Sequence, residues 1–305
     1  MGGERRVVRV GTRKSPLALW QTRWVIARLQ EAWPGLHFEE VPMVTQGDLV
    51  LDRPLDQAGG RGLFVAEMEE ALLAGRIDLA VHSMKDLPIE LAPGLVLGPV
   101  PPRADPRDLF VSRQGWQSLA QLPPKARVGT SSPRRRAQLL AQRPDLEIVP
   151  VRGNLGTRLR KLEEGQVDGL VLAAAGLARM GYELAGFPLE PPLFLPAVGQ
   201  GALALELRAD DHWLRERLAP LGDPAATAEV AAERALLRHL GGGCHLPIAA
   251  WARASGDRLT LQARVISPDG ARHLDGQLTG PLSEAASLGE RLAGELLARG
   301  ARDLL

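Results

Sequence analysis

Along the first lobe-length stretch of the chain, short apolar runs alternate with longer segments of helical spacing. Val7 to Val10 is a strand-length run that leads through a polar turn, Gly11-Thr12-Arg13-Lys14-Ser15-Pro16, into a segment whose Leu17, Trp20, Trp24 and Ala27 fall on one helical face. The predicted order is strand, turn, helix. The same opening recurs downstream, where Arg127-Val128 runs into Gly129-Thr130-Ser131-Ser132-Pro133 and then the helical stretch Arg134 to Leu140. A second unit repeats after each opening: a helix closing on glycine, then Gly-x-Ile/Val-Asp and a buried strand. Its two copies are Gly75-Arg76-Ile77-Asp78-Leu79-Ala80-Val81 and Gly165-Gln166-Val167-Asp168-Gly169-Leu170-Val171. Two α/β lobes built on one plan are expected.

Strands alternating with helices at this spacing predict mainly parallel sheets covered on both faces, with ligands at the strands' C-terminal ends. The lobes divide near Pro99-Val100-Pro101-Pro102, and the chain leaves the second through Leu195-Pro196-Ala197-Val198-Gly199-Gln200-Gly201. After Pro220 the pattern changes to a helix over 225–240, a glycine run ending in Cys244, strands joined at Ser255-Gly256-Asp257 and Pro268-Asp269-Gly270, and a last helix over 283–297. These hairpin signals predict an antiparallel sheet. The expected domains are therefore 1–101 with 199–219, then 102–198, then a small α+β domain over 220–305. Residues 46–62 form a long stretch with little periodicity, either a mobile lid or an ordinary surface loop.

Composition narrows the function. With 305 residues, 45% of them hydrophobic, the chain is long enough for two or three packed domains. Lys+Arg 37 against Asp+Glu 36 leaves a net charge of +1, which argues against a general nucleic-acid binder. The one cysteine cannot form an internal disulfide, and no Cys/His cluster has the spacing of a metal site, so a reducing cytoplasm is expected. The N-terminal apolar run is too short for an export signal and no stretch is long enough to span a membrane. A monomer is the default, since no repeated apolar surface announces a partner. Among the cationic residues only Lys14, Lys85, Lys125 and Lys161 are lysines, and Asn154 is the sole asparagine. That bias reads as GC-rich codon use or as heat adaptation, and it draws attention to Lys85 and Asn154.

The candidate chemistry sits at the predicted strand ends. Ser132 and Pro133 suit a helix start, but the arginines that follow oppose the positive end of the helix dipole, so an anion is expected there. Backbone N–H groups, the hydroxyls of Thr130, Ser131 and Ser132, and guanidinium forks suit carboxylate or phosphate; the plain alternative is a solvated basic helix end. Arg152-Gly153-Asn154-Leu155-Gly156-Thr157-Arg158 repeats the theme, and Arg13 and Ser15 occupy the equivalent turn of the first lobe. Arginines in both lobes suggest a ligand with several acidic groups. His82-Ser83-Met84-Lys85-Asp86-Leu87-Pro88 places an ammonium beside a carboxylate at a strand end, where Asp86 is suited to stabilise a cationic intermediate and pass protons, or else forms a surface turn. His82 reads as structural. Cys244 is either a small buried hydrophobe or, on its glycine loop, a nucleophile or attachment point.

Taken together, V-G-T-R-K-S-P-L-A-L-W-Q (10–21), A-V-H-S-M-K-D-L-P (80–88), V-G-T-S-S-P-R-R (128–135), R-G-N-L-G-T-R-L (152–159), L-P-A-V-G-Q-G-A (195–202) and G-G-G-C (241–244) resemble the porphobilinogen deaminase, or hydroxymethylbilane synthase, family over nearly the whole chain. The resemblance implies two doubly wound lobes like those of periplasmic binding proteins, a small third domain, and a dipyrromethane cofactor in thioether linkage to Cys244. It also implies the condensation of four porphobilinogen molecules into hydroxymethylbilane with loss of ammonia. By the same resemblance Ser83, Lys85, Asp86, Thr130, Ser131, Ser132, Arg134, Arg135, Arg152 and Gly153 hold the cofactor, with Asp86 catalytic. Arg13, Ser15, Arg158, Arg179 and Gln200 then face the substrate or growing chain, and Phe64 lies near the pyrrole rings. Pro133 stands where the family often has leucine, and Arg61 where lysine is common.

Two other readings compete. A bilobal anion-binding protein without catalysis explains the paired lobes and arginines but needs neither Cys244 nor Asp86. A cysteine-nucleophile acyltransferase explains Cys244 but leaves the arginines unused.

Overall fold

The computed structural model describes residues 6–45, 65–243 and 246–305. The expected loop over 46–62, Arg61, Phe64 and Cys244 lie outside them. In chain order the strands are β1 (Val7–Arg13), β2 (His37–Met43), β3 (Leu79–Ser83), β4 (Leu95–Leu97), β5 (Asp108–Ser112), β6 (Arg127–Gly129), β7 (Glu147–Val149), β8 (Gly169–Ala173), β9 (Gly186–Leu189), β10 (Leu203–Arg208), β11 (Ile248–Ser255), β12 (Arg258–Ile266) and β13 (His273–Pro281). The α-helices are α1 (Pro16–Ala32), α2 (Ala66–Leu73), α3 (Pro133–Gln142), α4 (Leu155–Glu163), α5 (Ala174–Arg179), α6 (His212–Leu218), α7 (Pro224–His239) and α8 (Ala285–Ala298). The chain forms two compact units, residues 1–103 with 202–227, and residues 104–201 with 228–305.

The first unit holds a sheet of order β2-β1-β3-β10-β4, the second a sheet of order β7-β6-β8-β5-β9. In each, the first three strands are parallel and the fourth, β10 or β5, runs against both neighbours. Repeated sequence openings thus give repeated topology. Alternate residues of each central strand face opposite layers, as period two requires. Leu79 and Val81 pack with Val25 and Leu29 of α1, whereas Ala80 packs with Met68 and Leu72 of α2. In the second sheet Val171 packs with Leu139 of α3, and Leu170 and Leu172 pack with Leu159 and Leu162 of α4. Both lobes are therefore doubly wound.

The Gly-x-Ile/Val-Asp repeat has a structural cause. The Asp78 carboxylate accepts from Arg9 N (3.0 Å), Nε (3.0 Å) and Nη2 (3.1 Å), while Asp78 N donates to Arg9 O (2.8 Å). Asp168 does the same for Arg127, accepting from its N (2.8 Å) and Nη2 (2.9 Å) and donating to its O (2.8 Å). Each aspartate ties the strand it begins to the neighbouring parallel strand. Burial alone would raise the Asp78 pKa, but hydrogen bonds from Arg9 and Arg208 outweigh it and lower the value. The stability it supplies is full above the ordinary carboxylate pKa and is lost as pH falls through the lowered folded value. Asp78→Ala is expected to cost about 2 kcal/mol of unfolding free energy, the range of hydrogen bonds to charged groups. Asp168→Ala should cost less, because its side chain is 25% exposed. Urea-unfolding midpoints check both, and an unchanged midpoint for Asp78→Ala would contradict the assignment.

One expectation shifts. The buried face of α1 is Ala18, Gln21, Thr22, Val25 and Leu29 rather than Leu17, Trp20, Trp24 and Ala27. Two polar side chains lie on the buried face, so counting apolar positions rotates the predicted stripe. Gln21 is buried because its amide meets Ser83 Oγ, with Nε2 donating across 3.0 Å.

The β11-β12-β13 sheet is antiparallel, as the hairpin signals predict, and α8 packs on it. Buried Glu233 on α7 accepts from Ala252 N on β11 (2.8 Å) and from Gly199 N (2.7 Å), tying the sheet to the segment that leaves the second lobe. Gly241 closes α7 with φ +69°, its N–H donating to Arg238 O (3.0 Å), a left-handed cap that favours glycine. Among the described residues no helix is long and apolar enough to cross a membrane.

Candidate functional site

In the first unit, β1 and β3 are adjacent and parallel, so their C-terminal ends lie side by side. Arg13 closes β1, and Ser15 caps α1 by accepting from Ala18 N (3.3 Å). β3 ends at Ser83 and passes into a 3-10 turn, Met84–Asp86. Buried Met84 and Leu87 anchor that turn, and Met84 N donates to Ala202 O (3.0 Å). The residues between the anchors are left outward, Lys85 half-buried and Asp86 exposed. The Gln21 amide bridges α1 to Ser83, so the two strand-end turns form one edge. Beneath it, His82 is buried with Nε2 3.1 Å from Glu206 Oε2.

In the second unit the parallel strands β7, β6 and β8 present the corresponding edge. Thr130, Ser131 and Ser132 follow β6. Ser132 caps α3, accepting from Arg135 N (3.4 Å), and Ser131 Oγ donates to Val151 O (3.0 Å), joining this turn to the one after β7. There Arg152 and Gly153 lead into Asn154, which caps α4 by accepting from Thr157 N (2.9 Å). Gly153 has φ +105°, and a Cβ at that position would sit 2.7 Å from Thr157 Cγ2, so the turn requires glycine. Arg158 Nε donates back to Gly153 O (2.9 Å). The amino ends of α3 and α4 and several hydroxyl and guanidinium donors therefore converge at one sheet edge.

The anion expected for the α3 arginines is in part the protein's own. Arg134 and Arg135 turn inward, each less than a tenth exposed, and both meet Asp108, which is 1% exposed at the start of β5. The plain alternative, a solvated basic helix end, holds only for exposed Arg136. Gln200, 1% exposed, also donates to Asp108. Two guanidinium charges meet one carboxylate here, and buried Arg134 Nε has no hydrogen-bond partner among the described residues. Arg179 Nη2 donates to Gly201 O (2.7 Å), and burial draws its pKa down to about 10. At Asp108, among the described residues, two buried guanidinium charges share one carboxylate, which fits a ligand bearing several carboxylates.

Asp108 escaped the sequence reading, as did Gln21 and the His82–Glu206 pair. Asp108 is 26 residues from Arg134, and the only local sign is a carboxylate heading the apolar run Leu109-Phe110-Val111. Arg13, Ser15, Ser83, Lys85 and Asp86 gather in the first unit. Thr130, Ser131, Ser132, Arg134, Arg135, Arg152, Gly153, Arg158, Arg179 and Gln200 belong to the second. Among the described residues no group of His, Cys, Asp and Glu side chains could hold a metal ion.

A family model described as porphobilinogen deaminase, dipyrromethane cofactor binding domain, matches residues 8–216, and one described as porphobilinogen deaminase, C-terminal domain, matches residues 227–298. A porphobilinogen deaminase of Syntrophotalea carbinolica is 52% identical over 299 residues, covering 98% of this chain and 95% of that one. Among solved structures, a probable amino-acid ABC transporter extracellular-binding protein from Bacillus subtilis aligns with TM-score 0.46 at 12% identity, over 72% of this chain and 90% of that one. The periplasmic VFT2 domain of Bordetella pertussis BvgS aligns with TM-score 0.42 at 18% identity, over 70% and 86%.

Proposed function

The chain belongs to the porphobilinogen deaminase family, and from that premise we propose how its own residues carry the reaction, the head-to-tail condensation of four porphobilinogen molecules into hydroxymethylbilane with release of ammonia. It is a transferase of tetrapyrrole biosynthesis with a dipyrromethane cofactor, and the non-catalytic binding protein gives way to this reading. When bound, the dipyrromethane supplies a pyrrole carbon nucleophile and the anchor on which the chain grows. Cys244 is the attachment point, on the domain over 220–305.

Each porphobilinogen brings an acetate and a propionate, so the protein's main task is to bind carboxylates in a fixed register. Thr130, Ser131, Ser132, Arg134, Arg135, Arg152 and Gly153 in the second unit, with Ser83, Lys85 and Asp86 in the first, are the proposed cofactor ligands. Arg13, Ser15, Arg158, Arg179 and Gln200, with Phe64, are the proposed substrate contacts. The observation that carries this assignment is the pair of buried guanidiniums, Arg134 and Arg135, that share the one carboxylate of Asp108 at the second sheet edge. Asp86 leaves the 3-10 turn exposed beside Lys85, where its carboxylate can face the cation created as porphobilinogen loses ammonia. The same oxygens can accept the proton released when the new carbon–carbon bond is complete.

A cytoplasmic location and a monomeric state are part of the same proposal. They rest on the single cysteine and on the lack of a repeated apolar surface in the sequence; light scattering on the purified chain tests the monomer. The function itself is tested by supplying porphobilinogen and following ammonia release together with the intact mass of the denatured protein. An excess mass of two linked pyrrole units, with ammonia formed in step with porphobilinogen consumed, is expected. A bare chain that gains no mass on incubation with porphobilinogen and releases no ammonia would refute it.

A further inference from the structure

Asp108 stands at the first residue of β5, paired with Ala173 at the C-terminal end of β8 and with Leu189 of β9. This antiparallel strand therefore begins at the edge where β6, β7 and β8 end. Its Oδ2 accepts from Arg134 Nη2 (2.8 Å), and its Oδ1 accepts from Arg135 Nη2 (2.6 Å), Arg135 Nε (3.1 Å) and Gln200 Nε2 (2.9 Å). One buried carboxylate thus holds three side chains that the function assigns to cofactor or substrate, from α3 and from the segment leaving the lobe.

The remaining donors of the two arginines are also directed. Arg134 Nη1 donates to Leu195 O (2.6 Å) and Arg135 Nη1 to Val171 O (3.0 Å), so each guanidinium is fixed at two points and its plane is set. Burial by itself would raise the Asp108 pKa, but the charges of Arg134 and Arg135 and the hydrogen bonds from Arg135 and Gln200 hold it well below the ordinary carboxylate range. The cluster stays charged, one negative group against two positive ones.

We propose that Asp108 is a positioning residue: its carboxylate orients Arg134, Arg135 and Gln200 and neutralises half of the paired arginine charge, so that the second lobe is ready to receive the acidic groups of the cofactor. The inference rests on the carboxylate-binding role given to these residues above. Without Asp108 the guanidiniums keep their charge but lose the acceptor that sets their direction, and Gln200 loses its link to both.

The test uses the full-length chain made in cells unable to supply porphobilinogen, then loaded with porphobilinogen and followed by intact mass. Asp108→Asn is expected to slow loading at least tenfold. In molecules that do load, the half-saturating porphobilinogen concentration should rise, because Gln200 keeps its bond to Pro106 O (2.7 Å) but loses the charged acceptor that ties it to the two arginines, whereas a residue that only maintained the fold would leave it unchanged. Loading within twofold of the wild type by folded Asp108→Asn, with unchanged half-saturation, would overturn the proposal. Should Asp108→Asn not fold, Asp108→Glu decides, since it keeps the charge and moves it by one methylene; the same slowing is expected, and wild-type loading would overturn the proposal. Arg152→Ala, which removes an assigned ligand away from Asp108, runs in parallel. If it loads poorly while the Asp108 variants load normally, only the positioning role fails; if it too loads normally, the carboxylate-binding reading of the lobe fails with it.

Discussion

Replacing Cys244 with serine is expected to abolish turnover and to remove from the purified protein the whole mass excess of the cofactor. A thiol of ordinary acidity offers a useful fraction of thiolate near neutral pH, whereas a serine hydroxyl offers almost none without a dedicated base. The chain has one cysteine, so no second thiol can take over the linkage. α7 closes at Gly241 with its left-handed cap, and in the sequence Cys244 follows three residues later. Intact-mass comparison of wild type and Cys244→Ser reads the result directly. Retention of the two-pyrrole mass in the serine variant would place the attachment elsewhere.

Asp86→Asn is the second large effect. The substitution preserves size and removes only the charge and the basic oxygens, so cofactor attachment should persist while kcat falls by about 10²–10³, the range for losing a charge-stabilising or proton-transferring group. Stability should change little, within about 0.5 kcal/mol, because the side chain is exposed and its turn is held by buried Met84 and Leu87 instead. Saturating porphobilinogen assays, with the intact mass of the same sample, separate chemistry from loading. Turnover at the wild-type rate would remove Asp86 from the mechanism; loss of the cofactor mass would make it a ligand first and a catalyst second.

Much of this was legible in the chain itself. A strand followed by a polar turn, a capping serine and a proline is decided within a dozen residues, so both lobe openings, at 7–16 and 127–133, could be read locally. The Gly-x-Ile/Val-Asp repeat announced that the two lobes share a plan, and the arginines at strand ends announced acidic ligands. Hairpin signals at 255–257 and 268–270 fixed the antiparallel sheet for the same local reason.

What only the tertiary structure decided is where the polar side chains go once the lobes close. Gln21 lies off the apolar stripe expected for α1, yet it faces inward because Ser83, 62 residues away, supplies the partner that makes burying an amide tolerable. Arg134 and Arg135 read as ligand-facing cations, yet both are buried against Asp108, which Gln200 also meets from 92 residues along the chain. Hydrophobic periodicity records where apolar groups are buried; it carries no mark for a charge buried against another charge, because that pairing is fixed by distance in space and by the loss of water around both groups. The sequence therefore determined the elements, the repeat and the chemical character of the ligand. The packing decided which of the cations proposed for the ligand are also held by a carboxylate of the protein, since a guanidinium has the same composition with or without such a partner and only the fold brings the partner near.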